Sequence, residues 1–171
     1  NQDIVPVLSR YLNESGNDMQ TRWARLDASV RAGYTSANAY YRSLVLADSP
    51  VSYWPLDETA GVTAEDDAGS NEGTYTGALT LGVQSVSRPG GNAITFSAAT
   101  HYVTVPYSAT LDLTTALSVE CWVKTADTDA GLLEKTIGGV VNTQYLLYMS
   151  AGGIPTFRVF DTGAGLIDVN G

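Results

Sequence analysis

The chain has 171 residues, is 44% hydrophobic and carries a net charge of −9. That length allows one domain plus an appendage, and that hydrophobic content supports a packed core rather than a disordered chain. The negative charge disfavours a phosphate-backbone partner, so no nucleic acid is expected, and no apolar run approaches the ~20 residues that a membrane span needs.

The charge is unevenly placed. Residues 1–50 hold five arginines and five acids; the other four basic and thirteen acidic residues all lie in 51–171. The acidic part is compatible with neutral glycans, cell-wall polymers and divalent cations. Cys121 is the only cysteine and His101 the only histidine, which rules out an internal disulfide, a thiolate zinc cluster and a histidine metal site. The chain begins at Asn rather than Met, so a processed, trimmed or fragmentary chain is expected.

Asp3 can cap a short first helix with Pro6 in its first turn, and Gly16 is a natural stop. A second helix is expected from Asn17–Asp18, with Gln20 completing a capping box. Met19, Trp23, Leu26, Val30, Gly33, Ala37, Tyr40 and Leu44 then recur at alternating steps of four and three. That is a heptad seam, and a continuous helix over 18–46 would be about 43 Å long. Two covers for the stripe stay open: the chain's own domain, or helices of other copies. The rings of Trp23 and Tyr40 would crowd a two-stranded seam, so copies are expected to associate as a trimer. Gly33 weakens the helix interior, and Thr35 or Ser36 could cap a second piece. Arginine without lysine suits fixed pairing at an interface better than loose solvation.

The stretch SPVSYWPLDETAG, Ser49 to Gly61, is the junction. Pro50 cannot continue a helix and bars Ser49 from the α region, so the helix is expected to end by Asp48. Turn-forming residues follow in TAGVTAEDDAGSNEGT. Beyond it the period changes to two. Strands are predicted at 93–96 after the turn RPGGN, at 102–105, and at 117–124, where Leu117, Val119, Cys121 and Val123 alternate with Ser118, Glu120, Trp122 and Lys124. Further strands are predicted at 131–135, 144–149, 156–161 and 166–169. The fold class is therefore α+β by composition: helices over 1–48, then an all-β antiparallel sandwich over 49–171.

The order SPVSYWPLDETAG, EDDAGSNEGTYTG, AITF, HYVTVP, LSVECWVKT resembles the laminin-G-like, concanavalin A-like jelly-roll domains. The lead-in VLADSPVSYWPLDETAG with GTYTG is most similar to versions in bacteriophage minor tail and tail-fibre proteins. The resemblance implies a virion protein of the phage tail with a lectin-like module, whose partners are other copies, other tail proteins and host glycans. The alternative is a secreted or cell-surface bacterial carbohydrate-binding module. The family's domain continues with further strands that are not found after Asn170–Gly171, so an N-terminal portion of a longer protein, or strands supplied by another chain, is expected.

Glycosidases on this fold place two carboxylates about 5–5.5 Å apart on one strand face. The cluster Glu65, Asp66, Asp67, Glu72 does not match the glucanase pattern Glu-x-Asp-x-x-Glu, and Glu120 has only Ser118 and Trp122 beside it on its face. No catalysis is expected. Asp57, Asp66, Asp67 and the carbonyls from Gly69 to Asn71 offer oxygen ligands of the kind Ca²⁺ takes, and the resemblance implies calcium; the expected role of Asp66 and Asp67 is that of turn residues bonding their own backbone, with no cofactor. Candidate glycan-binding rings are Tyr53, Trp54, Tyr75, Tyr102, Tyr107 and Trp122, with core packing the competing role. Loops 126–130 and 138–143 are further recognition candidates.

Overall fold

The computed structural model describes residues 37–85, 91–112, 116–136, 143–161 and 165–170. They are mostly β-sheet with one helix, α1, over 37–47. Met19, Trp23, Leu26, Val30 and Gly33 of the seam, and the helices predicted before 37, lie outside the described residues. α1 ends where Pro50 demands it. The Asp48 amide donates to the Val45 carbonyl at 3.2 Å and the Ser49 amide to that of Leu46 at 3.1 Å. Ser49 then turns left-handed, with φ at 54°, out of the right-handed region that a following proline closes.

The chain divides into two compact units, one ending at Tyr107 and one starting at Ser108. The first holds α1, β1 (Thr63–Ala64), β2 (Gly73–Thr76), β3 (Thr80–Gln84), β4 (Asn92–Thr95) and β5 (Tyr102–Thr104). β1, β2 and β5 form a three-stranded antiparallel sheet in that order, with Tyr75 opposite Val103. β2 follows the strand period: Gly73 and Tyr75 are buried and Thr74 is exposed. At Gly73 any side chain would run into Val103, so the close approach of β2 to β5 needs glycine there. β3 and β4 form a hairpin, closed by the Ser85 amide donating to the Gly91 carbonyl at 3.0 Å. Its register slips between Thr80 and Val83, around Gly82 with φ at 68°.

The second unit is an antiparallel meander, β6 (Ala130–Thr136), β7 (Thr143–Ser150), β8 (Ile154–Asp161) and β9 (Gly165–Asn170), paired in chain order. Gly152 and Gly153, both at positive φ, make the turn between β7 and β8. Alternation sorts the faces. Tyr145 and Leu147 stand opposite Val159 and Phe157, while Leu146 and Tyr148 stand opposite Arg158 and Thr156. A short 3₁₀ turn, Ala109–Leu111, is capped by the Ser108 side chain. It is the only helical piece after Gly61 among the described residues. Two contacts tie it to the sheet: the buried Tyr145 hydroxyl donates to the Leu111 carbonyl at 3.1 Å, and Lys135 Nζ meets Asp112 Oδ1 at 3.0 Å.

The strand predicted at 117–124 is not formed, and Glu120 therefore does not lie on a strand. The alternation in LSVECWVK suits a strand with one covered face. A strand also needs a partner edge, and none of the described residues provides one. The strands at 93–96, 102–105, 131–135, 144–149, 156–161 and 166–169 are present to within a residue or two. β1, β2 and β3 were not predicted; they are short and lie in polar, turn-like sequence.

Replacing Tyr145 by Phe removes the bond to Leu111 and leaves the ring in place. The expected loss is about 1 kcal/mol of unfolding free energy, read from urea denaturation followed by tryptophan fluorescence; an unchanged midpoint would contradict this role for the hydroxyl.

Candidate functional site

The most highly organised polar cluster joins the junction stretch to the loop after β1. At its centre is Asp66, only 8% exposed. Its Oδ1 accepts from the amides of Tyr53 at 2.8 Å, Ala68 at 3.1 Å and Gly69 at 3.1 Å, and its Oδ2 from that of Asn71 at 3.0 Å. The bonds to Ala68 and Gly69 are the local turn that Asp forms readily. The bond to Tyr53 reaches thirteen residues back and fixes the junction. A Cβ at Gly69 would come within 2.8 Å of both Asp66 Oδ2 and the Val51 carbonyl, so the loop closes only around glycine. Burial alone would raise the Asp66 pKa. The amides of Tyr53, Asn71 and Ala68, with the Ser52 hydroxyl, outweigh it and hold the carboxyl below its ordinary 3.8.

The neighbours extend the cluster. The Asp67 amide donates to the Tyr53 carbonyl at 2.8 Å, the Asn71 side-chain amide to Ser52 Oγ at 2.7 Å, and the Trp54 indole N–H to the Asn71 carbonyl at 2.7 Å. Glu58 Oε1 accepts from the Glu65 amide at 2.9 Å, and Glu58 Oε2 accepts from the hydroxyl of the buried Tyr75. The Asn92 side-chain amide donates to the Asp57 carbonyl at 3.1 Å. Leu56 sits between these contacts with φ at 53°, a strained setting for a branched side chain that costs about 1–3 kcal/mol.

Asp67 has the opposite fate to Asp66. Its Oδ1 meets Arg42 of α1 at 2.5 Å, and its Oδ2 is buried without a hydrogen-bond partner. Its pKa is raised, first by burial and then by the negative charges of Asp57, Glu58 and Asp66, which together exceed the opposing pull of Arg42. Arg42 thus carries out within the chain the fixed pairing that the arginine-rich segment suggested, and fastens α1 to the loop.

The structure brings the calcium candidates Asp57, Asp66 and Asp67 into one region, where Asp66 has both oxygens filled by backbone donors. Among the described residues no group of three or more His, Cys, Asp or Glu side chains is placed to hold a metal ion. The candidate rings separate into two kinds. Tyr75 is buried, Tyr53 and Trp54 are half-buried, and the Trp54 indole is engaged by Asn71. Tyr102 is half-exposed, and Tyr107 and Trp122 are each 72% exposed. Loop residues 126–129 are exposed, whereas 138–142 lie outside the described residues.

Glu58, the Asn71 side chain and Arg42 are parts of this cluster that sequence reasoning did not single out. A second polar group was missed as well: the Arg158 guanidinium is bidentate to Asp168 at 2.6 and 2.8 Å and lies 5.3 Å from the Tyr148 ring centre. Its signal was present, since Arg158 and Asp168 stand opposite each other once the predicted strands 156–161 and 166–169 are paired. Comparison with protein-family models, with curated proteins and with solved structures finds no match.

The two aspartates give opposite pH dependences. Asp66, with its lowered pKa, contributes stability that is present above pH 3.8 and lost as pH falls through its folded value. Asp67, with its raised pKa, contributes stability that is present below pH 3.8 and lost as pH rises through its folded value. Asp66→Asn is expected to cost about 2–4 kcal/mol at neutral pH, because backbone donors lose a charged acceptor, and to flatten the acid limb of the stability curve. Asp67→Asn is expected to cost little at neutral pH. Thermal melts between pH 2.5 and 7 check both; equal losses in the two variants would contradict the assignment.

Proposed function

We propose that this chain is a structural virion protein of a bacteriophage tail, a minor tail or tail-fibre protein. In this reading the β-rich part is a laminin-G-like, concanavalin A-like jelly roll that touches host-surface glycans, and the helical N-terminal part is its anchor. The observation that carries it is the ordered run SPVSYWPLDETAG, EDDAGSNEGTYTG, AITF, HYVTVP, LSVECWVKT. The helix-to-sheet change at Pro50 and the β-rich remainder are consistent with it. So is the state of the acidic residues: Glu58, Asp66, Asp67, Asp112 and Asp168 are engaged in hydrogen bonds or ion pairs within the fold. That arrangement suits a module that binds rather than one that cleaves, and we assign it no hydrolase activity.

Tyr107 and Trp122 are the rings of choice for a sugar, because an exposed ring can stack on the apolar face of a pyranose at little cost in reorganisation. The carboxylates leave a neutral glycan as the favoured ligand.

The test has two arms. Mass spectrometry of purified virions should find the chain in tail fractions; its recovery only from phage-free culture supernatant would support a secreted carbohydrate-binding module instead. Binding of the chain to purified host cell-wall polysaccharide should fall about tenfold in Trp122→Ala or Tyr107→Ala, in line with the loss of one stacked ring. Each ring is tested by itself, since Tyr107 and Trp122 belong to different units; unchanged binding in a variant would remove that ring from glycan contact, and release of reducing sugar would overturn the assignment as a non-enzyme.

A further inference from the structure

We infer that Tyr148, Arg158 and Asp168 form a binding site for a neutral saccharide on the polar face of the β6–β9 sheet. This site stands on the cluster alone; it depends neither on the virion reading nor on the rings of Tyr107 and Trp122.

Strand pairing places the three residues together. Leu146 of β7, Arg158 of β8 and Asp168 of β9 stand in one row across the sheet. Tyr148 is the next residue of β7 on the same face. The opposite face carries Tyr145, Leu147, Phe157, Val159, Ile167 and Val169. The sheet thus turns apolar side chains one way and this polar group the other. Arg158 is the hub. Its Nε donates to Asp168 Oδ1 at 2.6 Å, and its Nη2 donates to Asp168 Oδ2 at 2.8 Å and to the Tyr148 hydroxyl at 3.2 Å. Its guanidinium carbon lies 5.3 Å from the centre of the Tyr148 ring. The Arg158 side chain is 31% exposed and that of Asp168 39%, so a ligand can reach both.

The ligand class follows from what these contacts leave over. Nη1 takes part in none of them and keeps two N–H donors. The Tyr148 hydroxyl accepts from Arg158 and keeps its own hydrogen to donate. Each Asp168 oxygen receives one bond from Arg158 and has a further lone pair. Adjacent hydroxyls of a sugar both donate and accept, so they match this mixed set. The half-buried Tyr148 ring adds an apolar surface of the kind that the C–H face of a sugar covers. Charge narrows the class further. Arg158 and Asp168 cancel each other, and residues 51–171 hold thirteen acids against four basic residues. An anionic ligand is repelled, and a cation meets a carboxylate that is already paired. The ion pair adds little to stability, because water screens it. Its effect is to fix three side chains in one geometry before a ligand arrives. They sit on strands rather than loops, which lowers the ordering cost of binding.

NMR titration of the isotope-labelled full chain with the methyl glycosides of glucose, galactose and mannose tests the inference. The Arg158 Nε–H signal is expected to shift with at least one of them, and to shift less with glucuronate. Asp168→Asn should weaken that binding about tenfold, the value of one charge-assisted hydrogen bond. Arg158→Lys keeps the charge but loses the fork, and should weaken it as much. Tyr148→Phe keeps the ring and should weaken it about fivefold, the value of one neutral hydrogen bond. Thermal melts near the wild-type midpoint confirm that the sheet is intact in each variant. An Arg158 signal that no neutral sugar moves, a larger response to glucuronate, or binding unchanged in Asp168→Asn would overturn the inference. Binding lost in Trp122→Ala or Tyr107→Ala but kept in Asp168→Asn would also overturn it, while leaving the glycan-binding reading in place.

Discussion

A carboxylate that leaves water on folding must find donors or give up its charge, and Asp66 finds four of them on the backbone. Three belong to its own loop, and the fourth, from Tyr53, belongs to the segment that follows the helix. The long-range bond makes the carboxylate a fastening point rather than a local turn. Once Tyr53 is held, Trp54 reaches the Asn71 carbonyl, the Asp67 amide reaches Tyr53, and the chain enters β1 in register with β2. A neutral side chain of the same size would leave several buried amides with weaker acceptors, at about 1–3 kcal/mol for each one left unsatisfied.

The acidity of the chain is thus partly structural. The negative charges of Asp57, Glu58 and Asp66 act on Asp67 and raise the cost of ionising it. The fold offsets this with donors of three kinds: backbone amides for Asp66, a phenol for Glu58 and a guanidinium for Asp67. The guanidinium comes from α1. Helix and loop are therefore joined by an ion pair that is buried on the acid's side and open to water on the arginine's. Such a pair orients more than it stabilises, because water and salt weaken it at its exposed end.

The sequence was readable where one physical rule decided the outcome. Pro50 fixed the helix end, and period-two alternation located β4 to β9, each of which has a strand edge to pair with. The expected role of Asp66 as a turn residue came from its setting in EDDAGSN, and the structure puts it there. Contacts between distant residues were not readable. Tyr75 and Glu58 lie seventeen positions apart, and their contact accompanies the pairing of β1 with β2. β1 to β3 were hidden because threonine and glycine serve strands and turns alike. The segment 117–124 shows the converse. Alternation records which side chains share a face, and it is silent on whether an edge is available to pair with.

The hydrogen bond between Tyr75 and Glu58 has a consequence for the chemistry of the ring. Burial comes first, then the bond to Glu58 and the negative charges of Glu58, Asp57 and Glu65, and together they push the phenol far above its ordinary value of 10. Reagents that attack tyrosine through its phenolate, such as those that iodinate or nitrate the ring, find almost none of that form at Tyr75, whereas the rings of Tyr107 and Tyr40 are exposed to them. The fold thereby gives its tyrosines an order of reactivity. Late modification of Tyr75 becomes a report on when the segment before β1 has come away from β2.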